Sequence, residues 1–450
     1  MMKNYDVIIM GGGSAGLNAA LVIKQAGYSP VVIEKMPKVG GNSIKSSSGM
    51  NASETQFQRQ QGILDHNEGF YQETLLGGHG TNDPALLRYF VDHSAQAIQW
   101  LDSLGIMLDQ LTMLGGMTTK RTHRPHDGSA IGGYLMHHLY DEIQRLNIPL
   151  MTETTVMALL QDEQKHLTGV TVQQKDQMQD IMASAVVIAS GGFGANRDWI
   201  SQYRPELKET VTTNSPGNVG DGIRLAESVG ADTVDMAEIQ IHPTVHQETG
   251  MLIGEAVRGE GAILVNQAGE RFANELAPRD VLSQAIKNQP GQKAYLLFDA
   301  GVRERVPALN FYAARGLVTM SDSVEALAKQ LGLPGTQVVD TVNAWNQAVQ
   351  TGEDRAYKRI FPDPHPLEVG PFGGIPVAPG IHFTMGGIKT NPHAEVLTKT
   401  GQIIPGLFAS GEVVGGLHGK NRLGGNAIAE TVVFGTRAGQ SAVDYLKHQV

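Results

Sequence analysis

An apolar strand, a glycine turn, a helix and a second strand ending in an acid lie in immediate succession near the start of the chain. They read "YDVIIM" (Tyr5–Met10), "GGGSAG" (Gly11–Gly16), "LNAALVIKQAG" up to Gly27, and "SPVVIEK" with Glu34 at the strand end. No other feature constrains the fold as strongly. The spacing Gly11-x-Gly13-x-x-Gly16 suits a tight turn whose backbone approaches a pyrophosphate at a helix N-terminus. An acid about twenty residues on is placed to receive ribose hydroxyls. A lone glycine motif of this kind is weak. Its position between a strand and a helix, with the acid at the next strand end, favours a dinucleotide site over an incidental turn.

Two later stretches return to the same pattern. "ASAVVIASGGFG" (Ala183–Gly194) and "IPGLFASGEVVGG" (Ile404–Gly416) each read as a strand entering a glycine turn. Between about Met236 and Phe383 the character changes to proline-interrupted loops and the helical run "SDSVEALAKQLG". The chain is therefore expected to be α/β. A Rossmann-like dinucleotide-binding domain (1–235 and 384–450) is interrupted by a smaller α+β capping domain (236–383). Linkers are expected near Asp235 and Thr384.

Composition narrows the function classes. With 450 residues, 41% of them hydrophobic and 18% charged, two or three domains with sizeable cores are expected. The net charge of −10 argues against nucleic acid as a partner, though a basic pocket for an anionic substrate remains compatible with it. The chain has no cysteine, which excludes disulfides, thiolate-held clusters, Cys-attached haem and a thiol nucleophile, and fits a reducing compartment. No run of about 18 uninterrupted apolar residues occurs, so no membrane span is expected. No cleavable leader is visible, and a cytoplasmic protein is expected.

Several residues could carry chemistry. His242 in "IHPT", Arg279 in "PRD", His382 before "FTMGG" and Arg422 in "KNRLGGN" lie in glycine- or proline-bounded loops. Singly, each has an ordinary reading: a core histidine, a surface pair with Asp280, a strand-end residue, an exposed cation. Together, two arginines and two histidines suit a small dicarboxylate, because the guanidinium fork matches carboxylate geometry. "GEAVRGEG" (Gly254–Gly261) places Glu255 and Arg258 three residues apart. Such a pair is either a weak salt bridge on a helix face or part of a proton path. His123 and His126 in "RTHRPHDG" lack acids or cysteines at ligand spacing, so no metal site is expected there. "VGGNSIKSSSGMNA" (Val39–Ala52) and "NVGDGI" (Asn218–Ile223) offer the backbone and hydroxyl donors that a flat, anionic cofactor would use.

With these stretches, "GGGSAGLNAA", "EKMPKVGGNSIKSSSGMNA", "GEAVRGEGAILVN", "RFANELAPRD", "HFTMGGI" and "GLHGKNRLGGNAI" recur in order. So read, the chain resembles the flavoprotein family of fumarate reductases and succinate dehydrogenases, in particular the soluble flavocytochrome c-type fumarate reductases. The resemblance implies FAD held by the first glycine turn (Gly11, Gly13, Ser14, Ala15, Gly16) and by Glu34 and Lys35. It adds Gly41, Asn42, Ser43, Gly49, Met50 and Asn51 from the serine-rich loop. Val156, Gly191, Asp221 and Glu412 follow, and then Gly425, Asn426, Ala427 and Ile428. In one branch of the family a histidine links FAD covalently. Asn42 stands at that position, so non-covalent FAD is expected. The haem segment of the flavocytochromes is not expected, in line with the absence of cysteine.

The resemblance also implies roles. His382 and Arg422 resemble a clamp on one substrate carboxylate, and His242 resembles a ligand of the other. Arg279 resembles the acid that protonates carbon opposite the hydride from flavin N5. Glu255 and Arg258 resemble its proton relay. Fumarate reduction to succinate follows as the expected reaction, with electrons from an external donor, either reduced flavin or a redox protein. One position departs from the pattern. A hydroxyl residue usually precedes the relay glutamate, and here Gly254 stands there. That keeps open another 2-enoate, acrylate-, aryl-acrylate- or urocanate-like. A flavin electron-transfer subunit of a larger complex is the alternative of a different class. "MLGGM" (Met113–Met117) is read either as an apolar wall or, more commonly for methionines, as core filler.

Overall fold

A computed structural model describes residues 5–360 and 365–449. The chain forms two compact units, one comprising Met1–Lys208, Asn214–Gln240 and Phe383–Val450, the other Glu209–Thr213 and Ile241–His382.

The first unit is built on a six-stranded sheet. Its order is Glu395–Leu397, Ile403–Ala409, Ala185–Ile188, Val7–Met10, Pro30–Ile33, Leu150–Met151. Val7–Met10 pairs in parallel with both neighbours, Ile9 lying opposite Val32 on one side and Val187 on the other. Glu395–Leu397 is the antiparallel edge. "VIIM", "PVVI" and "AVVI" are buried at every position, as expected for parallel strands covered on both faces. The first helix, Ser14–Gln25, starts directly after the glycine turn and stops before Gly27, whose φ of +91° ends it. A second sheet of three antiparallel strands covers Thr154–Gln161, Leu167–Gln174 and Gln177–Met182.

The first helix packs against the C-terminal helix, Asn426–Lys447, and the approach is close because of two glycines one turn apart. A Cβ on Gly435 would lie 2.7 Å from the Ala15 carbonyl oxygen, and one on Gly439 2.8 Å from that of Ala19. Each helix carries part of the expected cofactor cradle at its N-terminus, so this packing sets the spacing of those two ends.

The second unit is α+β. Its sheet runs in the order Ile239–Val245, Phe372–Thr384, Ala294–Phe298, Ile263–Val265, with Thr319–Ser321 also paired to Phe372–Thr384. Leu296 stands opposite Leu264 on one side and Ile375 on the other. The run "SDSVEALAKQLG" forms the helix Val324–Gln330, capped by the Ser323 hydroxyl accepting from Ala326 N–H. The unit's limits differ from the expected 236–383. It begins at Ile241, ends at His382 and takes in Glu209–Thr213. That strip runs beside Ile381, whose N–H donates to the Val211 carbonyl at 2.8 Å. A pairing 170 residues apart in sequence leaves no local pattern to read.

Gly435→Ala tests the helix packing. The new methyl must displace backbone, so a loss of about 1–3 kcal/mol in urea unfolding is expected. An unchanged midpoint would show that the helices can separate at no cost.

Candidate functional site

The cofactor cradle is assembled within the first unit. Gly11 has φ +115°, and a Cβ there would lie 2.3 Å from the Ala189 carbonyl oxygen. A Cβ on Gly16 would lie 2.0 Å from the Gly11 carbonyl oxygen. Only glycine lets strand, turn and helix close this tightly. By contrast a Cβ on Gly13, the residue capping the helix, would meet only the Ser43 hydroxyl, at 3.6 Å, so the turn is open at the helix N-terminus. Ser14 N–H donates to Ser43 Oγ at 3.2 Å, and Ala15 is buried in the same turn. Glu34 closes the turn. Its two carboxylate oxygens accept from Gly12 N–H and Met36 N–H, both at 2.8 Å. Lys35 pairs with Asp221, which also accepts from Arg224 at 2.9 Å. Val156 is buried in the strand Thr154–Gln161, whose first N–H donates to the Glu34 carbonyl at 3.1 Å.

A polar network forms the next wall. Asn42, after Gly41, donates to Asn214 Oδ1 at 2.6 Å and Glu412 at 3.3 Å, and accepts from Ser215 N–H at 2.7 Å. Glu412 accepts from Thr384 N–H at 3.1 Å and from Asn218. Burial raises the Glu412 carboxyl above its usual range, and these hydrogen bonds only partly offset it. A Cβ on Gly191 would lie 3.1 Å from Asn218 Oδ1, which is buried without a partner. Gly49 leads into the short strand Met50–Asn51. Asn51 donates to the Gly424 carbonyl at 2.7 Å and to Asn426 Oδ1 at 2.6 Å. That fixes Gly425, Asn426, Ala427 and Ile428 at the start of the C-terminal helix. Two helix N-termini, an open glycine turn and an orphaned buried oxygen suit a long, anionic, hydroxyl-bearing dinucleotide such as FAD. Asn214 and Thr384 were not singled out from the sequence as site residues; nothing in "TTNSPGN" marks Asn214 beyond a polar loop.

Arg422 also belongs to this unit. It is 4% exposed, donates to Gln240 Oε1 and to the Leu423 carbonyl, both at 3.0 Å, and lies 4.5 Å from the centre of the Phe383 ring. Of "MLGGM", Met117 is buried and Met113 is 46% exposed. The structure brings His123 and His126 to different settings. His123 is fully buried against the Thr55 hydroxyl, at 2.8 Å, whereas His126 is exposed and pairs with Asp109. Burial lowers His123 to about 4. Among the described residues no cluster of metal ligands occurs.

The second unit holds the other candidates. Arg279 is the first residue of the helix Arg279–Lys287, and Glu255 the first of the short helix Glu255–Gly259. Arg279 Nε donates to Glu255 Oε1 at 2.7 Å. Arg258 Nη2 lies 3.9 Å from the same oxygen, and its side chain is only 3% exposed. The pair in "GEAVRGEG" is therefore not a surface salt bridge; Glu255 sits between two guanidinium groups. Burial alone would raise its carboxyl. The charge and hydrogen bond of Arg279, with His242 and Arg258, outweigh burial and hold it well below the usual range. Burial lowers Arg258 to about 10, with Glu255 acting against that and Arg279 with it.

His242 is fully buried, and its Nδ1 accepts from Thr244 N–H at 3.3 Å. Burial, then the charge of Arg279, hold it well below its ordinary value and hence neutral. A neutral ring that accepts at Nδ1 carries its hydrogen on Nε2. That nitrogen is buried with no protein partner, and leaving such a donor unpaired costs about 1–3 kcal/mol. His382 lies alongside, ring centres 5.5 Å apart, with its Nδ1 2.9 Å from the Thr213 hydroxyl. Gly254 N–H donates to the Tyr312 hydroxyl at 3.2 Å. Tyr312 lies 58 residues away in sequence and carries no motif, so sequence reasoning passed over it.

Residues 6–428 match the family described as FAD binding domain. The chain is 48% identical over 441 residues to the NADH:fumarate oxidoreductase of Klebsiella pneumoniae (strain 342), covering 98% of this chain and 48% of that protein. It thus spans about half the length of that relative. It is 40% identical over 444 residues to the fumarate reductase (cytochrome) of Shewanella frigidimarina, covering 98% of this chain and 77% of that one. A solved flavocytochrome c3 fumarate reductase in an open conformation superposes with a TM-score of 0.86 at 40% identity, covering 98% of this chain and 78% of that one. No helix among the described residues is long and apolar enough to cross a membrane. The chain belongs to the FAD-binding-domain family of flavoprotein oxidoreductases.

Proposed function

We propose that this chain reduces fumarate to succinate, with Arg279 as the proton donor and Glu255 and Arg258 as its relay. The observation that carries this reading is the 2.7 Å hydrogen bond from Arg279 to Glu255, with the buried Arg258 behind it. Bound non-covalently in the cradle, FAD would supply from its N5 the hydride, and so the electron pair, received by one alkene carbon. His242 presents Nε2–H to one substrate carboxylate. His382 and Arg422 are assigned the other on the resemblance alone. Drawing charge onto a carboxylate makes the adjoining alkene accept hydride.

Arg279 gives a proton to the second alkene carbon, and the C=C bond becomes CH–CH. An arginine in water is a poor acid, with an unperturbed pKa above about 12. Here the accepting carbon becomes strongly basic as hydride arrives. Once Arg279 is neutral, the charge that held Glu255 ionised is gone; Glu255 takes a proton from Arg258 and passes it to Arg279, and Arg258 regains one from solvent. Arg258, lowered to about 10, releases a proton more readily than a solvated guanidinium does. Electrons come from an external donor, either reduced flavin or a redox protein. Gly254 adds no side chain where the resemblance calls for a hydroxyl, and this favours reduction of a different 2-enoate as the second reading. An anaerobic screen of 2-enoates with a reduced viologen dye decides between them.

Two outcomes are expected. Acid denaturation should release all the flavin, because Asn42 cannot form a histidyl link; flavin retained on the precipitated polypeptide contradicts this. In stopped flow, Arg279→Lys and Glu255→Gln should each slow reoxidation by fumarate about 10²–10⁴-fold, the usual worth of positioned proton transfer. Reduction by the dye should stay near wild type. If either variant reoxidises at the wild-type rate, its assigned role is wrong.

A further inference from the structure

Behind Arg258 and Arg279 the second unit holds a buried ionic cluster that the proposed reaction leaves unused. Its centre is Glu275, whose side chain has no exposed surface. It accepts from Arg271 Nε and Nη2, both at 2.8 Å, from Arg359 Nη1 at 3.1 Å and from Leu264 N–H at 3.3 Å. Arg271 also donates to Asp354 at 2.9 Å. The Arg271 and Arg359 guanidinium groups lie 4.8 and 4.5 Å from the Trp345 ring centre.

Stability is a weak reason for such a cluster. Desolvating each ion costs several kcal/mol, and well-packed apolar replacements are often neutral or better. Its connections point elsewhere. Arg258 Nη1 donates to the Glu275 carbonyl, and Arg359 Nη2 donates to the Arg258 carbonyl. Arg359 Nη1 reaches the Ala262 carbonyl as well, at 2.9 Å. Arg271 and Glu275 lie on the segment that enters the helix at Arg279. The cluster thus grips the backbone at Arg258 and the segment that delivers Arg279.

We propose that Arg359 and Glu275 are positioning residues for proton delivery: they fix Arg258 and the approach to Arg279, and set the charge around the Arg258 guanidinium. The proposal rests on the proton-path reading above. The groups facing Arg258 are Glu255 on its own short helix, Arg279 at the head of the following helix, His242 on the strand Ile239–Val245, Glu275 and Arg359, with Arg271 and Asp354 beyond. Burial lowers Arg258 first. Glu255 opposes the lowering, Arg279 and Arg359 add to it, and Glu275 opposes it. Removing the Arg359 charge therefore raises the proton affinity of Arg258, and removing the Glu275 charge lowers it. A packing defect alone has no reason to produce opposite signs.

The experiment uses the full chain loaded with FAD, with stopped-flow reduction by dye and reoxidation by fumarate measured across pH. Arg359→Gln should slow reoxidation about tenfold or more, consistent with the worth of positioned proton transfer, with dye reduction and the KM for fumarate near wild type. The alkaline limb of reoxidation, where Arg258 loses its proton, should move up in Arg359→Gln and down in Glu275→Gln. Arg359→Lys keeps the charge and loses the fork. It should slow reoxidation without moving the limb, and it decides the matter if the two neutral variants do not fold. A folded, flavin-loaded Arg359 variant that reoxidises at the wild-type rate overturns the proposal. So do limbs that move the same way, or half-reactions that slow together. Glu255→Gln separates the two failures. If it slows reoxidation while the Arg359 variants do not, only this inference falls. If it too has no effect, the proton-path reading falls with it.

Discussion

The hydrogen bond between Arg279 and Glu255 is the interaction on which the proposed proton path depends. It joins the heads of two helices that are separated in sequence by a strand and a loop. It keeps a carboxylate ionised in a setting where burial works in the opposite direction. Guanidinium suits this place, because its fork serves a fixed geometry and its charge survives desolvation better than an ammonium would. Around the pair the polar atoms are arranged by backbone: Thr244 N–H sets the tautomer of His242, and the Glu275 and Arg258 carbonyls receive the donors of Arg258 and Arg359. The chemistry therefore depends on where the chain runs as much as on which side chains it carries.

The first unit depends on a constraint of the opposite kind, the absence of side chains. At Gly11 and Gly16 a single methyl would collide with backbone oxygen, and at Gly435 and Gly439 it would force two helices apart. These positions set the distance between the two helix N-termini of the cradle. Polar side chains then do a secondary task. Glu34 and Asn42 spend hydrogen-bonding capacity on neighbouring backbone N–H groups and so hold the cradle's loops in shape.

Much of this was legible in the sequence, for identifiable reasons. The strand–turn–helix–strand opening follows from period and glycine spacing, both local. The ordered motifs around His242, Glu255, Arg279 and Arg422 carried the family, and the comparisons agree with that. Within the second unit, the structure brings His242 beside His382 and Glu255 beside Arg279. What stayed hidden was long-range. The strip Glu209–Thr213 joins the second unit through a pairing with Ile381. Tyr312 meets Gly254 across 58 residues, and Arg359 meets Glu275 across 84. Glu275 itself stood in plain view inside "RFANELAPRD", but the four hydrogen bonds its carboxylate accepts have no sequence signature. The Glu255–Arg258 spacing was equally ambiguous until burial removed the surface reading.

The central claim is that Arg279 and Glu255 move one proton in series. A double-mutant cycle on reoxidation by fumarate tests it most directly, comparing Arg279→Lys, Glu255→Gln and the combined variant. Residues that act as one unit are strongly non-additive. The combined variant should be no slower than the slower single one. Losses that multiply, each variant slowing the reaction by its own factor, would show two independent contributions and contradict the relay.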